Sequence, residues 1–212
     1  MVATTTAAVN LTHEQYAAIY RRQSSAIELP SVEDLVESRI ARLTSLGLAM
    51  ETDLRRLAAN ITDRNFQFFP AWPDPLDFNR WMAMIEYRGR TGMSYVALNA
   101  VKDVVTVPKG LFLGLDVDDG WNRRNIPPLT NRANIQSEGR ISFTARMGVC
   151  YGGDHPVAIE GHGMDLVGSD CRSGSYVPFL DQKARGPALT SRWRGYPSPL
   201  WGAPSCGSLF GL

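Results

Sequence analysis

The chain has 212 residues, which is the length of one domain or of one domain with an appendage. Its 22 basic and 21 acidic side chains leave a net charge of +1, and this balance excludes binding to nucleic acid or to an acidic membrane by bulk charge. A hydrophobic share of 44% with 20% charged residues is typical of a globular protein and excludes disorder along the whole chain. No apolar run approaches the roughly 18 residues of a membrane span.

Residues 11–62 have the periodicity of helices. Thr12 starts a capping box for a first helix. Ser31 caps a second helix, whose apolar face ends at Gly47. A third and shorter helix begins at Thr52. The residues before this segment, 1–10, are expected to be a disordered tail.

Residues 63–212 predict a strand-rich body. Strands are expected at Trp81–Tyr87, Ser94–Leu98 and Gly110–Val117. The last of them is apolar enough to be buried on both faces. From Gly139 onward the frequent glycines favour short strands and tight turns, apart from one short helix capped by Thr144. We therefore expect an α+β fold, with N-terminal helices packed on a mixed, mostly antiparallel sheet in a single domain, 11–212.

The start of the chain and its cysteines favour a cytoplasmic location. The first ten residues contain no Lys or Arg and no apolar segment of the kind that secretory signals carry. Cys150, Cys171 and Cys206 are an odd number of cysteines without a CxxC pair, which favours reduced, buried thiols over disulfides or a zinc site. We expect no metal and no organic cofactor.

Two aromatic clusters are candidate walls of a substrate-binding pocket. The first comprises Phe66, Phe68, Phe69 and Trp72, and the second comprises Arg192, Trp193 and Trp201. Large aromatic side chains also fill cores, and arginine stacks on tryptophan in ordinary packing, so both interpretations stay open. If the clusters converge, they enclose an apolar pocket from which water is excluded.

Carboxylates and a histidine are candidate acid–base groups. Asp116 and Asp118 end the predicted buried strand on one face, where they could share a cation or raise each other's proton affinity. The alternative is a solvent-exposed turn, since Asp-Gly pairs are common there. His162 lies between two glycines, and it could form an acid–base pair with Glu160 or Asp165 or lie on a surface loop.

The C-terminal tail supplies two further candidate catalytic residues. Tyr196 is a candidate acid–base group, and Arg194 is a candidate anchor for an anionic group or a developing enolate. Four cations in this tail are few for a nucleic-acid track, so nucleic acid is not expected as a partner.

Several short segments, most of them in the C-terminal half, form a pattern that resembles other sequences. They are Val107-Pro108-Lys109-Gly110 leading to Leu115-Asp116-Val117-Asp118; Gly139-Arg140 with Phe143-Thr144 and Gly148; Leu166-Val167-Gly168-Ser169 through Val177-Pro178; Trp193-Arg194-Gly195-Tyr196-Pro197 through Gly202-Ala203-Pro204-Ser205-Cys206; and Leu29-Pro30-Ser31. With these motifs the chain resembles, over residues 29–212 and best at the C-terminal end, a family of uncharacterised proteins from high-GC Gram-positive bacteria. The family is usually filed as a domain of unknown function, so the resemblance implies a shared fold and no established activity.

Two departures from the family pattern bear on function. Met147 stands where members carry a Glu, which removes a capping-box partner of Thr144. Tyr196-Pro197-Ser198-Pro199 stands where members carry Asn-Pro-His-Thr. The resemblance therefore implies a site rebuilt for a particular ligand.

Together these features predict a small-molecule enzyme of bacterial specialised metabolism, of the cyclase, isomerase or lyase type. The chain has no phosphate-cradling motif. The alternative is a non-catalytic protein that binds or sequesters a small molecule, or an assembly partner. No membrane partner is expected, and a homodimer is compatible with either function.

Overall fold

The computed structural model describes residues 31–62, 69–72, 77–156, 158–171 and 174–212, without the side chain of Glu160. The first predicted helix and the residues Phe66 and Phe68 lie outside the described residues. Within them the chain is a single α+β domain whose N-terminal helices precede mixed, mostly antiparallel sheets, so the predicted fold class is confirmed.

The α-helices are α1 (Val32–Ser45), α2 (Glu51–Ala58), α3 (Phe78–Ala83), α4 (Pro128–Ser137), α5 (Ala145–Asp154) and α6 (Ala158–Gly161). Two of them begin at the predicted caps. The Ser31 hydroxyl accepts the N–H of Asp34 at 3.0 Å, and the Thr144 hydroxyl accepts the N–H of Met147 at 3.3 Å. Thr144 therefore caps α5 although Met147 stands in the position of a capping-box glutamate.

The strands are β1 (Phe69–Ala71), β2 (Glu86–Tyr87), β3 (Arg90–Thr91), β4 (Met93–Ser94), β5 (Val101–Asp103), β6 (Phe112–Asp118), β7 (Ile141–Ser142), β8 (Gly163–Asp165), β9 (Ser169–Cys171), β10 (Tyr176–Lys183), β11 (Gly186–Trp193), β12 (Trp201–Gly202) and β13 (Ser205–Gly211). One sheet has the order β1-β6-β13-β7. A larger sheet has the order β12-β8-β10-β11-β4, with β9 beside β10 and β5 beside β9, and β2 and β3 form a hairpin. The pairs β11–β4 and β12–β8 are parallel, and the other pairs are antiparallel.

The predicted strand Trp81–Tyr87 is wrong over most of its length. Asp77 accepts the N–H of Arg80 at 2.8 Å and starts α3 instead. The buried side chains of Phe78, Trp81 and Met82 then share one helix face, at the spacing of three and four residues that a helix requires. Only Glu86–Tyr87 is extended.

The helix α5 is buried along its whole length between the two sheets. Glycines let both sheets approach it closely: a Cβ on Gly152 would lie 2.6 Å from the Leu180 side chain of the larger sheet. A Cβ on Gly153 would lie 2.9 Å from the indole of Trp72, which directly follows β1 of the smaller sheet. This helix therefore lies at the centre of the hydrophobic core.

The described members of the first aromatic cluster belong to this core. Phe69 and Trp72 have no exposed surface. The ring of Phe69 meets that of Phe143 at 4.9 Å, and Trp72 meets Trp81 edge to face at 6.3 Å. Phe69 and Trp72 therefore fill the interior, which is the core interpretation of the two that the sequence left open.

The expected convergence of the two aromatic clusters is wrong for the described residues. Trp201 contacts Phe179 on β10, at 5.0 Å between ring centroids. The next residue, Leu180, packs on Gly152 of α5, and Trp72 packs on the following residue of that helix, Gly153. Because successive strand residues point to opposite faces, the larger sheet stands between Trp72 and Trp201.

Two further expectations concern the thiols and the membrane. Cys150, Cys171 and Cys206 are all free and buried, as predicted. Over the part of the chain that the structure describes, no helix combines the length and apolar character that crossing a bilayer requires.

Candidate functional site

Asp116 is held by an arginine rather than aimed at a pocket. It lies within β6 in a left-handed conformation, with φ of 56°, which an aspartate tolerates better than most residues. The Arg140 guanidinium binds its carboxylate at 2.8 Å and its backbone oxygen as well, and Nε of Arg140 donates to Ser205 at 2.9 Å. This ion pair links β6 to β13 and fixes the local backbone.

Asp118 has its own arginine. Its Oδ2 accepts from Arg123 at 2.8 Å, and its Oδ1 accepts the N–H of Gly120 at 2.9 Å. Arg123 also binds Glu138 at 2.8 Å. The structure therefore pairs Asp116 and Asp118 each with an arginine and does not bring them together as one acid–base unit.

Among the predicted catalytic residues, His162 is buried and has its ring orientation fixed by a hydrogen bond. It is 5% exposed, and its Nε2 lies 2.9 Å from the backbone oxygen of Asp119. A carbonyl oxygen only accepts hydrogen bonds, so Nε2 carries the proton and Nδ1 is the basic nitrogen of the neutral ring. No group among the described residues bonds to Nδ1.

The turn after β6 builds the surroundings of this imidazole. Trp121 meets the His162 ring edge to face at 5.5 Å, and the Arg124 guanidinium stacks on Trp121 at 3.5 Å. The turn is fixed by Asp119, whose Oδ1 accepts the N–H of Trp121 at 2.9 Å, and by Gly120 with φ of 88°. Burial raises the pKa of the Asp119 carboxyl, and positive charge nearby, on Arg124 and on His162 when it is protonated, opposes that shift.

The structure thus selects Asp119, which lies next to Asp118, as the partner of His162. Asp165 binds Arg192 instead, and the side chain of Glu160 is not among those that the structure describes. Trp121 and Arg124 were not predicted as site residues. The signal in the sequence was the spacing of Trp121 and Arg124, because an arginine three positions after a tryptophan can reach back and stack on the indole.

The C-terminal tail passes beside this site. The N–H of Gly163 donates to Leu200 at 2.9 Å, and the N–H of Asn125 donates to Ser198 at 2.7 Å. Tyr196 is 63% exposed on this loop. The loop therefore borders Gly163, the neighbour of His162, on one side and the turn after β6 on the other. We call this turn, residues 119–125, the 120s turn.

The predicted residues Arg192 and Trp201 meet on the face of the larger sheet that points away from α5, which we call its outer face. The Arg192 guanidinium stacks on the Trp201 ring at 4.3 Å and donates to the backbone oxygen of Tyr196. Its Nη1 lies 3.4 Å from Oδ2 of Asp165, while Oδ1 of that fully buried carboxylate has no hydrogen-bond partner among the described residues. Trp193 is the last residue of β11, lies on the opposite face from Arg192 and is 58% exposed.

Burial dominates the electrostatics of this pair. It raises the pKa of Asp165 to about 7, although Arg192 acts in the opposite direction. It lowers the pKa of Arg192, and Asp165 counteracts that change. Trp201 also reaches Asp181, at 3.4 Å from Nε1 to Oδ2. The cluster is therefore the buried pair of Arg192 and Asp165 covered by the Trp201 indole. It lies at the end of β8, and His162 directly precedes the start of that strand.

Metal ligation and relatives give no further guidance. Within the described ranges, no three His, Cys, Asp or Glu side chains come together where they could hold a metal ion. Comparison of the chain with protein-family models, with curated proteins and with solved structures found no match to any of them.

Proposed function

We propose that the protein is a small-molecule enzyme of the cyclase, isomerase or lyase type that uses no organic cofactor, with His162 as its general base. The observation that carries the proposal is the hydrogen bond from His162 Nε2 to the backbone oxygen of Asp119. It fixes the tautomer and the ring orientation, as the partner of a catalytic histidine must. The proposal extends to a bacterial, cytoplasmic protein of specialised metabolism, as the sequence led us to expect.

The surroundings of His162 suit proton abstraction from a small molecule. Nδ1 takes a proton from the substrate and returns it at a second position, so an isomerisation or ring closure needs no other reagent. Trp121 offers an apolar, 39% exposed surface beside the ring, and Arg124, stacked on that indole, supplies a cation for a developing enolate. Asp116 and Asp118 have no part in this mechanism, because arginines bind both carboxylates.

A specific observation favours a second candidate, a non-catalytic binding protein. Arg192 stacked on Trp201, with the exposed Tyr196 on the loop bonded to Arg192, forms an aromatic and cationic region that could hold a ligand without any proton transfer. In that case His162 only stabilises the 120s turn. The two functions differ in whether the ligand is changed chemically.

The test is a conversion assay with His162→Gln. Purified protein is incubated with a small-molecule extract of the cells that produce it, and the mixture is followed over time by mass spectrometry. The native protein is expected to deplete one compound and to produce an isomer or a dehydration product, and H162Q is expected to lower that rate at least 100-fold. Arg185→Gln, an exposed change in the β10–β11 turn, is the matched control and keeps the native rate.

Each outcome separates the two functions. A compound that is recovered unchanged but bound by the native protein and by H162Q supports the binding protein and overturns the enzyme. Conversion at an equal rate by the native protein and H162Q overturns the role of His162. Circular dichroism of both variants shows whether the fold is intact.

A further inference from the structure

The strand β13 has an unpaired edge over most of its length. On one side it pairs with β6 from Ser205 to Gly211, but on the other side β7 covers only Ser205 and Cys206. No described residue outside β6 forms a hydrogen bond with residues 208–212. In an antiparallel pair every second residue directs its N–H and C=O away from the partner strand, so this edge offers unpaired backbone groups. We call residues 208–212 the open edge.

The open edge lacks the features that usually keep sheet edges from pairing. Its sequence is Ser-Leu-Phe-Gly-Leu, without a charged residue or a proline. Phe210 is 39% exposed and Leu212 is 51% exposed, although both side chains are large and apolar. Arg140, which directly precedes β7, turns its guanidinium to Asp116 on β6 and brings no unpaired charge to the edge. An exposed, uncharged and apolar edge favours pairing with a further strand.

Pairing of the open edge with a second copy of itself matches side chains by size. Two antiparallel strands related by a two-fold axis keep the same face of the sheet, so each residue meets one whose side chain points to its own face. With Phe210 on the axis, the two Phe210 rings meet, Leu209 faces Gly211 of the second copy, and Ser208 faces Leu212. A large side chain therefore meets a small one in every pair off the axis, and an aromatic pair lies at the centre.

The surroundings of the open edge fit this register. A Cβ on Gly211 would lie 2.9 Å from the ring of Pro108, so this proline lies over Gly211. Leu209 of the second copy would lie beside Gly211 on the same face and would pack on that ring. On the opposite face Phe210 stands beside its register partner Leu113, a member of the hydrophobic core. The pairing would therefore extend an apolar layer on both faces of the sheet.

We propose that the protein forms a two-fold dimer through the open edge, with β13 of one copy antiparallel to β13 of the other. The strand order would become β1-β6-β13-β13-β6-β1, a single sheet that crosses both copies. This pairing uses up the open edge of each copy, so it stops at a dimer. The match of large and small side chains is a property of this sequence against itself, which favours a second copy over a strand of another protein. Five residues from each copy make a small interface, and we expect a dissociation constant of about 1 to 100 µM.

Sedimentation velocity of the whole chain between about 2 and about 200 µM tests the proposal. The native protein is expected to pass from monomer to dimer over this range and to form no larger species. Phe210→Lys and Phe210→Glu each place like charges on the axis, and each is expected to weaken dimerisation at least tenfold. An equimolar mixture of F210K and F210E is expected to dimerise again, because opposite charges then face each other.

The matched control is Tyr95→Lys, which changes a 64% exposed aromatic residue next to β4 in the larger sheet and keeps the native dissociation constant. Cross-linking serves as a second measurement in case a charge at position 210 disturbs the fold. The native cysteines are all buried, so mild oxidation of Phe210→Cys is expected to yield a disulfide-linked dimer at least ten times faster than oxidation of Tyr95→Cys. Thermal unfolding of every variant is measured beside the native protein.

Several results would overturn the proposal. A native protein that stays monomeric at every concentration would leave the open edge to a strand of another protein. Dimerisation of F210K with the native constant would place the interface elsewhere, and a monomeric mixture of F210K and F210E would exclude Phe210 from the axis. Assembly of the native protein beyond a dimer, or equal cross-linking rates of F210C and Y95C, would exclude a closed two-fold pairing.

Discussion

Gly163 and Trp201 are partners on the parallel strands β8 and β12, and the Trp201 indole fills the space that a Cβ on Gly163 would need. Gly163→Ala therefore forces the indole to move, and the stacked Arg192 must move with it. We expect the free energy of unfolding to fall by about 2 to 3 kcal/mol, the usual cost of overpacking a filled site. Urea titration followed by tryptophan fluorescence measures this loss.

Gly195→Ala is the control for that substitution. Its Cβ would lie 3.1 Å from the ring of Trp193, which is 58% exposed and can turn away. We expect a change of less than about 0.5 kcal/mol, as for most surface substitutions. Equal effects of the two alanines would show that the Gly163–Trp201 contact is not a tight one.

The sequence predicted those parts of the fold that local signals determine. The cap at Ser31 placed α1, the cap at Thr144 placed α5, and the apolar run before Asp116 placed the buried strand β6. The helix α4 was missed because its apolar face is weak, although Pro128 stands at its first position, where proline is favoured. The α3 error had a different cause: aromatic residues favour strands in general, and the cap at Asp77 outweighed that preference.

The candidate site was predictable only in part, because its contacts are distant in the chain. His162 and the acidic turn were both singled out, yet nothing local shows that His162 bonds to Asp119 across 43 positions. The ion pairs that occupy Asp116 and Asp118 are also long-range, through Arg140 and Arg123. The prediction that the two aromatic clusters converge was wrong for the same reason. Their composition suits a pocket, and only the sheet topology shows that a layer of strands separates them.

Arg42 ties α1 to the C-terminal end of the buried helix α5. Its Nη1 donates to the oxygen of Gly153 at 2.7 Å and to Asp154 at 3.2 Å, and its Nη2 donates to Met84 at 2.8 Å. Arg42→Met leaves a buried carboxylate with less compensation and two carbonyls without their donor. We expect the free energy of unfolding to fall by about 3 kcal/mol. Chemical denaturation measures it.

Arg56→Met provides the comparison for Arg42. Arg56 is exposed and pairs with Asp53 at 2.9 Å, and surface ion pairs contribute about 0 to 1 kcal/mol. A loss in R42M no larger than that in R56M would contradict the anchoring role.

The buried thiols predict a clear result in cysteine labelling. Burial raises the pKa of Cys206 to about 12, so almost no thiolate forms at pH 8, and all three cysteines are buried. The native protein is therefore expected to release no thionitrobenzoate within minutes of mixing with Ellman's reagent, while protein in 6 M guanidinium chloride releases about three equivalents. Rapid labelling of a single thiol in the native state would show that one of these sites opens.

The buried carboxylate of Asp165 predicts an unusual pH dependence of stability. Burial raises its pKa from 3.8 to about 7 in the folded protein, so the folded state holds a proton that the unfolded chain has released between these values. The contribution of Asp165 to stability is therefore complete below about pH 4 and is lost as the pH rises to 7. Asp165→Asn keeps a neutral side chain beside Arg192 at every pH. We expect D165N to match the native protein near pH 4 and to be more stable at pH 8, by on the order of 2 to 4 kcal/mol.

Urea unfolding at half-unit steps from pH 4 to pH 8 measures this difference for Asp165. Asp53→Asn is the control, because Asp53 lies on the surface of α2, and the gap between D53N and the native protein is expected to stay within about 0.5 kcal/mol. The buried Asp154, whose pKa burial raises to about 6, adds a similar slope to the native protein and to D165N alike, so it cancels in their difference. A D165N curve that runs parallel to the native curve through pH 7 would mean that Asp165 stays ionised beside Arg192 over this range, and the offset between the two curves would then give the net contribution of the ion pair.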